Sequence, residues 1–405
     1  MNRPLKIALV AGEPSGDRLG GALMQALKQE TDGSIEFLGV GGPAMAVAGA
    51  EQGFKSFFAI DDIAVMGFAE VFGRLPTIVR RMKETEKLLT AAAPDALITI
   101  DSPSFGLRIA RKLRDMGANK PVLIHYVAPS VWAWRPKRAK KLAQHVDHLM
   151  ALLPFEPPYF HREGLSCDFV GHPVVEQSLR FDWRDRSMRE ELGVTPDSPL
   201  IVALPGSRRS EIQQLAAPFG EALRLVREKH PGLRIVTPLA ETVAASAKEM
   251  LCNWPGPVDF LDPRTMTFDQ FETRKFRAFA AADAALAASG TVSLELAAAR
   301  TPMVIGYRVN ALSAAIAKRL IKIDTATLVN LVSETKVVPE FIQKSCEPVA
   351  IAQALDQILD PRSAVVMEQM AAQEQTMLRL RAGQTRPSRR AAQSVLAALE
   401  RLKNA

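Results

Sequence analysis

Three segments of this sequence place glycine, hydroxyl and charged side chains straight after a short apolar run: Gly12-Glu13-Pro14-Ser15-Gly16-Asp17, Gly206-Ser207-Arg208-Arg209 and Ser289-Gly290-Thr291. Glycine lets a backbone turn sharply and lets a ligand approach it. A helix opened by such a turn offers an anion its unpaired N–H groups and the positive end of its dipole. Arg208 and Arg209 add guanidinium groups that can grip phosphate with two hydrogen bonds. The second and third turns therefore suit a diphosphate. Glu295, one helical turn beyond Thr291, can accept both hydroxyls of a ribose. Each turn also has a plainer reading as a helix cap, through Ser15 or Asp17, through Ser207, and through Thr291 with Glu295. The first turn is not the dinucleotide fingerprint, whose glycine spacing and later acidic residue are missing.

Another apolar run ends in Asp101-Ser102-Pro103-Ser104-Phe105. A carboxylate at a strand C-terminus of an open α/β sheet is placed to take a proton from an acceptor hydroxyl. Asp101 or Ser104 can equally cap the helix that follows. The loop after Tyr126 carries Ser130, Trp132, Trp134 and Arg135, which can line an apolar or sugar-binding wall or pack as a core corner. His125 reads as a hydrogen-bonded structural residue rather than a metal ligand. The basic run Lys137, Arg138, Lys140 and Lys141 is either a solvated helix face or a contact for a phosphorylated lipid.

Positioning these groups requires alternating βα units. Short continuous apolar runs, the mark of buried parallel strands, lie at Lys6–Ala11, Glu36–Val40, Ala96–Ile100, Val122–Tyr126, His148–Ala151 and Cys167–Val170. A second series lies at Leu200–Leu204, Arg234–Pro238, Val258–Leu261, Ala284–Ala287 and Met303–Tyr307. Helices are expected near Asp17, over Pro76–Ala92 and Phe105–Met116, and after Arg208, Thr291 and Asn310. The charged, aperiodic stretch Glu176–Pro199 reads as the connection between domains. The expected division is residues 1–185, residues 186–362 and a helical tail, 363–405, interrupted around Pro387.

A chain of 405 residues with 47% hydrophobic and 23% charged residues fits two globular α/β domains. Its net charge of +7 suggests anionic partners. Cys167, Cys252 and Cys346 are too scattered for a metal cluster or a disulfide framework. The first apolar run reads as a strand and not a signal peptide, and no apolar stretch is long enough to span a bilayer, so any membrane contact is expected to be peripheral. Nucleic acid is not an expected partner, since no recognised binding motif or aromatic stacking series is present.

Taken together and in order, Ala11-Gly12-Glu13 with Ser15-Gly16-Asp17, Val65-Met66-Gly67, Ser130–Arg135, Leu153-Pro154-Phe155-Glu156, Val170-Gly171-His172-Pro173, Leu204–Arg208 and Ala288–Thr291 resemble the lipid A disaccharide synthase family over nearly the whole chain. The resemblance implies a GT-B fold, two Rossmann-like domains with mostly parallel sheets facing across a cleft. The implied substrates are UDP-2,3-diacylglucosamine as donor and 2,3-diacylglucosamine 1-phosphate as acceptor, joined with inversion into a β-1,6-linked disaccharide 1-phosphate. The implied setting is the cytoplasmic face of the inner membrane of a Gram-negative bacterium, with inner-membrane lipids as partners. The oligomeric state is open: the tail can cross back onto the first domain, as in many GT-B proteins, or exchange between the subunits of a homodimer.

Carried over by that resemblance, Asp101 matches the family's proposed catalytic base. Gly206, Ser207, Arg208, Ser289, Gly290, Thr291, Glu295 and Asn330 match its nucleotide-binding positions, and Glu340 and Gln343 match a later motif grouped with them. Ser15, Gly16 and Asp17, with Ser130, Trp132, Trp134 and Arg135, belong to acceptor-side loops. Val65, Met66, Phe68, Val71 and Phe72 correspond to an apolar patch that meets lipid, or else form core. Near the base the chain departs from the family: a second acidic residue and Phe-Asn commonly follow the proline, whereas here stand Ser104, Phe105 and Gly106. No Asp-x-Asp pair occurs, so no cofactor and no metal bridge to the diphosphate is expected. The rival readings are another GT-B UDP-sugar enzyme, such as a 2-epimerase or a different lipid-linked transferase, and a catalytically inert nucleotide-sensing protein.

Overall fold

The computed structural model describes residues 3–63, 68–116, 120–132, 136–309, 324–381 and 385–403. The chain divides into two compact units, Met1–Pro173 with Arg381–Ala405, and Val174–Leu380.

The first unit is built on strands β1 (Leu5–Ala11), β2 (Ile35–Val40), β3 (Ala96–Ile100), β4 (Val122–Tyr126), β5 (His148–Ala151) and β6 (Ser166–Phe169). They form one parallel sheet in the order β2-β1-β3-β4-β5-β6. Its helices are α1 (Pro14–Glu30), α2 (Pro43–Ala48), α3 (Phe68–Ala92), α4 (Gly106–Arg114), α5 (Lys137–Ala143) and α6 (Pro157–His161). Successive strand residues point to opposite faces, and both faces are apolar. Ile7, Leu9, Ile98 and Ile124 pack with α1 and the C-terminal helix Pro387–Lys403. Ala8, Val10, Leu97, Leu123 and Leu149 pack with α4 and α5 on the other side. Fully burying one such side chain is worth about 1.5–3 kcal/mol, and this burial on both faces is why the strands read as continuous apolar runs.

The second unit contains α7 (Val174–Arg180), α8 (Ser187–Glu191), α9 (Arg209–Lys229), α10 (Ala244–Met250), α11 (Phe268–Ala281) and α12 (Val292–Ala298). Its strands are β7 (Leu200–Leu204), β8 (Arg234–Pro238), β9 (Val258–Leu261), β10 (Ala284–Ala288), β11 (Met303–Tyr307) and β12 (Glu340–Ile342), in the parallel order β12-β11-β10-β7-β8-β9. The stretch read as a connection holds α7 and α8, which pack on α12 and α11. Arg189 pairs with Asp283 at 2.8 Å and Arg277 with Asp185 at 3.2 Å, which ties those charges into the second unit.

The tail is shared out. Helix Ala364–Arg381 is pinned to the second sheet by Gln369, which accepts from Met303 N at 2.8 Å and donates to Met303 O at 3.1 Å. Helix Pro387–Lys403 rests on the first sheet, where Ser394 Oγ meets His148 Nε2 at 2.7 Å and donates to Asp168 at 2.7 Å. The break at Pro387 thus separates two docking surfaces. Among the described residues, no helix is long and apolar enough to cross a membrane.

Candidate functional site

In the first sheet the strand order reverses between β1 and β3. Ligands of open parallel sheets collect outside the strand C-termini at such a point. The turn after β1 carries Gly12 to Asp17, and the turn after β3 carries Asp101 and Ser102. These two turns touch: a Cβ on Gly12 would stand 2.3 Å from Ser102 Oγ, and one on Gly16 would stand 3.3 Å from Ile100 O. Asp101 and Ser102 both adopt left-handed backbone, at φ 48 and 39, and Val127 does so at φ 85 beyond β4. Such conformations cost about 1–3 kcal/mol each and cluster at functional rims. Asp101 N donates to Tyr126 O at 2.9 Å and Val127 N to Met150 O at 3.0 Å, so strand pairing holds the strain. The half-buried Asp101 carboxylate has no hydrogen-bond donor or cation in contact among the described residues.

The other first-unit candidates separate. Asp17 is buried inside α1, and its carboxylate accepts from Gly42 N at 2.7 Å, Ala44 N at 2.9 Å and Met45 N at 3.0 Å. It therefore caps α2, not its own helix, which begins three residues earlier at Pro14. Ser15 and Ser130 are exposed, and Gly16 is buried. Trp132 donates to Glu156 at 3.2 Å, and its ring meets Phe155 edge-on at 5.2 Å. Glu156 is 3% exposed, and burial pushes its carboxyl up to about 7 against the pull of the Leu153 N–H and Trp132 donors. His125, buried against Thr99 Oγ1 at 2.8 Å, is driven down to about 4 by burial and stays neutral near pH 7. Trp134, Arg135, Val65 and Met66 lie outside the described residues, while Phe68, Val71 and Phe72 fall in the first turns of α3. At the departure from the family pattern, a Cβ on Gly106 would lie 2.9 Å from Thr99 Cβ, which leaves no room for a larger residue.

In the second sheet the order reverses between β10 and β7, whose C-termini pair at Ala287 and Leu204. The turns 205–208 and 289–291 flank that point, as two halves of one rim. Gly206 sits at φ 127 with Glu211 so close that a Cβ would meet Glu211 Cβ at 2.5 Å. Glu211 accepts from Ser207 N at 3.0 Å and Arg208 N at 3.3 Å and pairs with Arg208 Nη1 at 2.7 Å. The Ser207 and Arg208 N–H groups are therefore engaged from within, and the turn presents outward Ser207 and the Arg208 side chain, the latter 70% exposed. Gly290 and Thr291 are exposed, and Ser289 Oγ is fixed to Ala326 O at 2.8 Å.

Glu295 is half-buried and held by Lys275 Nζ at 3.3 Å. Lys275 also meets Glu272 at 2.9 Å, and although burial opposes its charge, the two carboxylates hold its pKa above the usual lysine range. Asn330 is buried, and its amide is spent internally: Nδ2 donates to Val338 O at 3.0 Å and Glu340 at 3.1 Å, while Oδ1 accepts from Val338 N at 3.0 Å. Glu340 in turn accepts from Ala326 N at 3.0 Å and Thr327 N at 2.9 Å. Asn330 and Glu340 thus brace the loop that holds Ser289. Gln343, at φ 57, pairs its side-chain amide with the Val309 backbone at 3.3 and 3.2 Å. Lys275 and Glu272 are missing from the sequence reading, and Glu211 and Glu156 stand in its segments without a role; only the i,i+3 spacing of Glu272 with Lys275 hints at the first pair.

The family model for lipid-A-disaccharide synthetase matches residues 7–395. The chain belongs to the lipid-A-disaccharide synthase family. Curated members from Ruegeria pomeroyi and Rhodospirillum centenum are 50% and 46% identical to it, covering 97% of this chain and 95% and 94% of their own lengths. As a member of this family the chain is a hexosyltransferase of lipid A biosynthesis. Solved structures share its fold at low identity. A UDP-GlcNAc 2-epimerase from Neisseria meningitidis bound to UDP-GlcNAc superposes with TM-score 0.60 at 12% identity, covering 98% of this chain and 100% of that one. A glycosyltransferase from Rickettsia africae gives 0.58 at 12% identity, covering 100% of both chains. The epimerase alternative therefore rests on fold alone, whereas family membership favours the transferase.

Proposed function

We propose that this chain joins UDP-2,3-diacylglucosamine to 2,3-diacylglucosamine 1-phosphate, with Asp101 as general base and the second unit holding UDP. The acceptor's 6-hydroxyl attacks C1 of the donor, the C1–O bond to the diphosphate breaks with inversion, and the hydroxyl proton passes to Asp101. UDP leaves as an anion, stabilised by the Arg208 guanidinium and the N–H groups at Gly290 and Thr291. Glu295, steadied by Lys275, receives the ribose hydroxyls. The observation that carries this reading is Asp101: a carboxylate at a strand end, on strained backbone, with no partner of its own among the described residues. A base must be left free to take a proton.

The leaving group is proposed to need no metal, its charge being met by Arg208 and backbone donors. Both substrates carry acyl chains, so the work is proposed to take place peripherally, at the cytoplasmic face of the inner membrane. The test is transfer between the two lipids in detergent micelles with chelator present. Disaccharide and UDP appearing together is the expected result. Turnover only after divalent metal is added would refute the metal-free step, and epimerised or hydrolysed donor without disaccharide would refute the transfer. Sedimentation of the purified chain tests the homodimer.

A further inference from the structure

On the face of the first sheet covered by α4 and α5 lies a groove of about 820 Å³. Its head is formed by Pro103 and Ser104, two and three residues past Asp101, and by Pro129 after β4. Its sides carry Arg108, Arg111 and Lys112 from α4 and Arg138 and Lys141 from α5, against a single carboxylate, Asp115. Met82, Leu107 and Leu142 add apolar surface among these charges.

Four of these cations stand uncompensated. Among the described residues no carboxylate lies within ion-pairing distance of Arg108, Arg111, Lys112 or Lys141, although nearby Arg114 and Lys120 share Asp147 at 2.7 and 3.1 Å. Burial and the charges of Arg111, Lys141 and Arg114 depress the pKa of His145 in the same groove, so several positive groups face one space. Like charges gathered without partners cost free energy that a bound anion would return. The apolar strip between them selects among anions: a soluble nucleotide or inorganic ion has nothing to place there, whereas a phosphorylated amphiphile does.

We propose that this groove is the subsite for the phosphomonoester of the lipid acceptor, held by Arg111 and Lys141 with the neighbouring cations while the sugar ring reaches toward Asp101. The proposal rests on the transfer reaction above. An acceptor whose nucleophilic C6 hydroxyl and C1 phosphate flank the ring oxygen of one pyranose needs a base and a cation cluster close to one another. The turn 101–104 joins one to the other. The same phosphate chemistry is offered by anionic membrane headgroups, and the experiment separates the two sources.

Arg111→Gln and Lys141→Gln, singly and together, change exposed side chains outside the core. Steady-state rates would be measured in micelles with the phosphorylated acceptor and with the same diacylglucosamine lacking its phosphate. The expected result is a KM for the phosphorylated acceptor raised roughly tenfold or more by the pair, as for loss of charge-assisted hydrogen bonds. The KM for the unphosphorylated lipid, the UDP affinity and kcat should stay within about twofold. Equal changes for both acceptors, or none, would overturn the proposal. So would a defect confined to sedimentation with phosphatidylglycerol vesicles, which assigns the groove to headgroups. Should the unaltered protein turn over neither lipid, the transfer reading itself fails. Equilibrium binding of the phosphorylated lipid then decides the groove: about tenfold weaker in the double variant supports the subsite, and equal affinity overturns it.

Discussion

The two sheet rims follow one plan, a reversal of strand order flanked by two turns, yet among the described residues cations hold carboxylates only at the second. At the second rim Glu211 is tied to Arg208 and Glu295 to Lys275. At the first, Asp17, Asp101 and Glu156 have no cation partner among the described residues; Asp17 is met by backbone N–H groups, Glu156 by a tryptophan and two N–H groups, and Asp101 by nothing. A binding surface gains from groups fixed before the ligand arrives, because no ordering cost remains to be met. A base gains from the reverse, a carboxylate whose lone pairs are unspent. The strain follows the same division. Three non-glycine residues with left-handed backbone, Asp101, Ser102 and Val127, fall at the first rim.

The sharpest way to break this contrast is to remove one charge from each side. Asp101→Asn keeps the shape and the strained turn but abolishes the base, so kcat should fall about 10²- to 10⁴-fold while UDP affinity is unchanged. Parallel loss of UDP binding, read by calorimetry, would mean that Asp101 holds structure instead. Lys275→Met acts in the opposite sense. It leaves Glu272 and Glu295 together without their ammonium, and removing one partner of such a cluster costs about 3–5 kcal/mol. UDP affinity should drop roughly tenfold or more as Glu295 loses its orientation, with Tm lowered and the acceptor KM untouched. Unchanged UDP affinity at a temperature where the variant is folded would strip Glu295 of its ribose role.

Much of this architecture was legible in the sequence, for a physical reason. Strands buried on both faces must be apolar throughout, so eleven apolar runs located eleven strands nearly to the residue, and the glycine turns marked their ends. Strand β12 escaped because three residues beginning with Glu340 make no apolar run. Helix α8 escaped because its Glu191 is spent on Arg274 and Arg277 of α11, and a paired charge reads like a solvated one. Within the site, residue types told which groups were present but not where they pointed. Asp17, Asn330 and Glu340 belong to the rims, but each spends its polar atoms on bracing. Lys275 is the reverse case: in a helix of alternating charges nothing separates a buried ammonium from an exposed one until the fold brings Glu295 to it.

The subtlest test concerns Glu156, a rim carboxylate buried without a cation. Burial outweighs its donors, the Leu153 and Leu152 N–H groups and Trp132, and lifts its pKa from 4.5 to about 7. A carboxyl held above its unfolded value binds its proton more tightly in the folded state. Its contribution is therefore full below about pH 4.5 and is lost as pH rises through the folded value of about 7. Over that window the folded protein should lose stability with rising pH, opposite to the behaviour of a hydrogen-bonded carboxylate such as Asp168, which His148 and Ser394 hold near 2 and whose contribution is lost only in acid. Because Trp132 donates directly to Glu156, its fluorescence should titrate in the same window, and Trp132→Phe should remove that component. Glu156→Gln should flatten both the fluorescence change and the corresponding slope of Tm against pH. A Trp132 signal constant from pH 5 to 8 would mean that Glu156 does not change its charge there, and that burial does not place its pKa near 7.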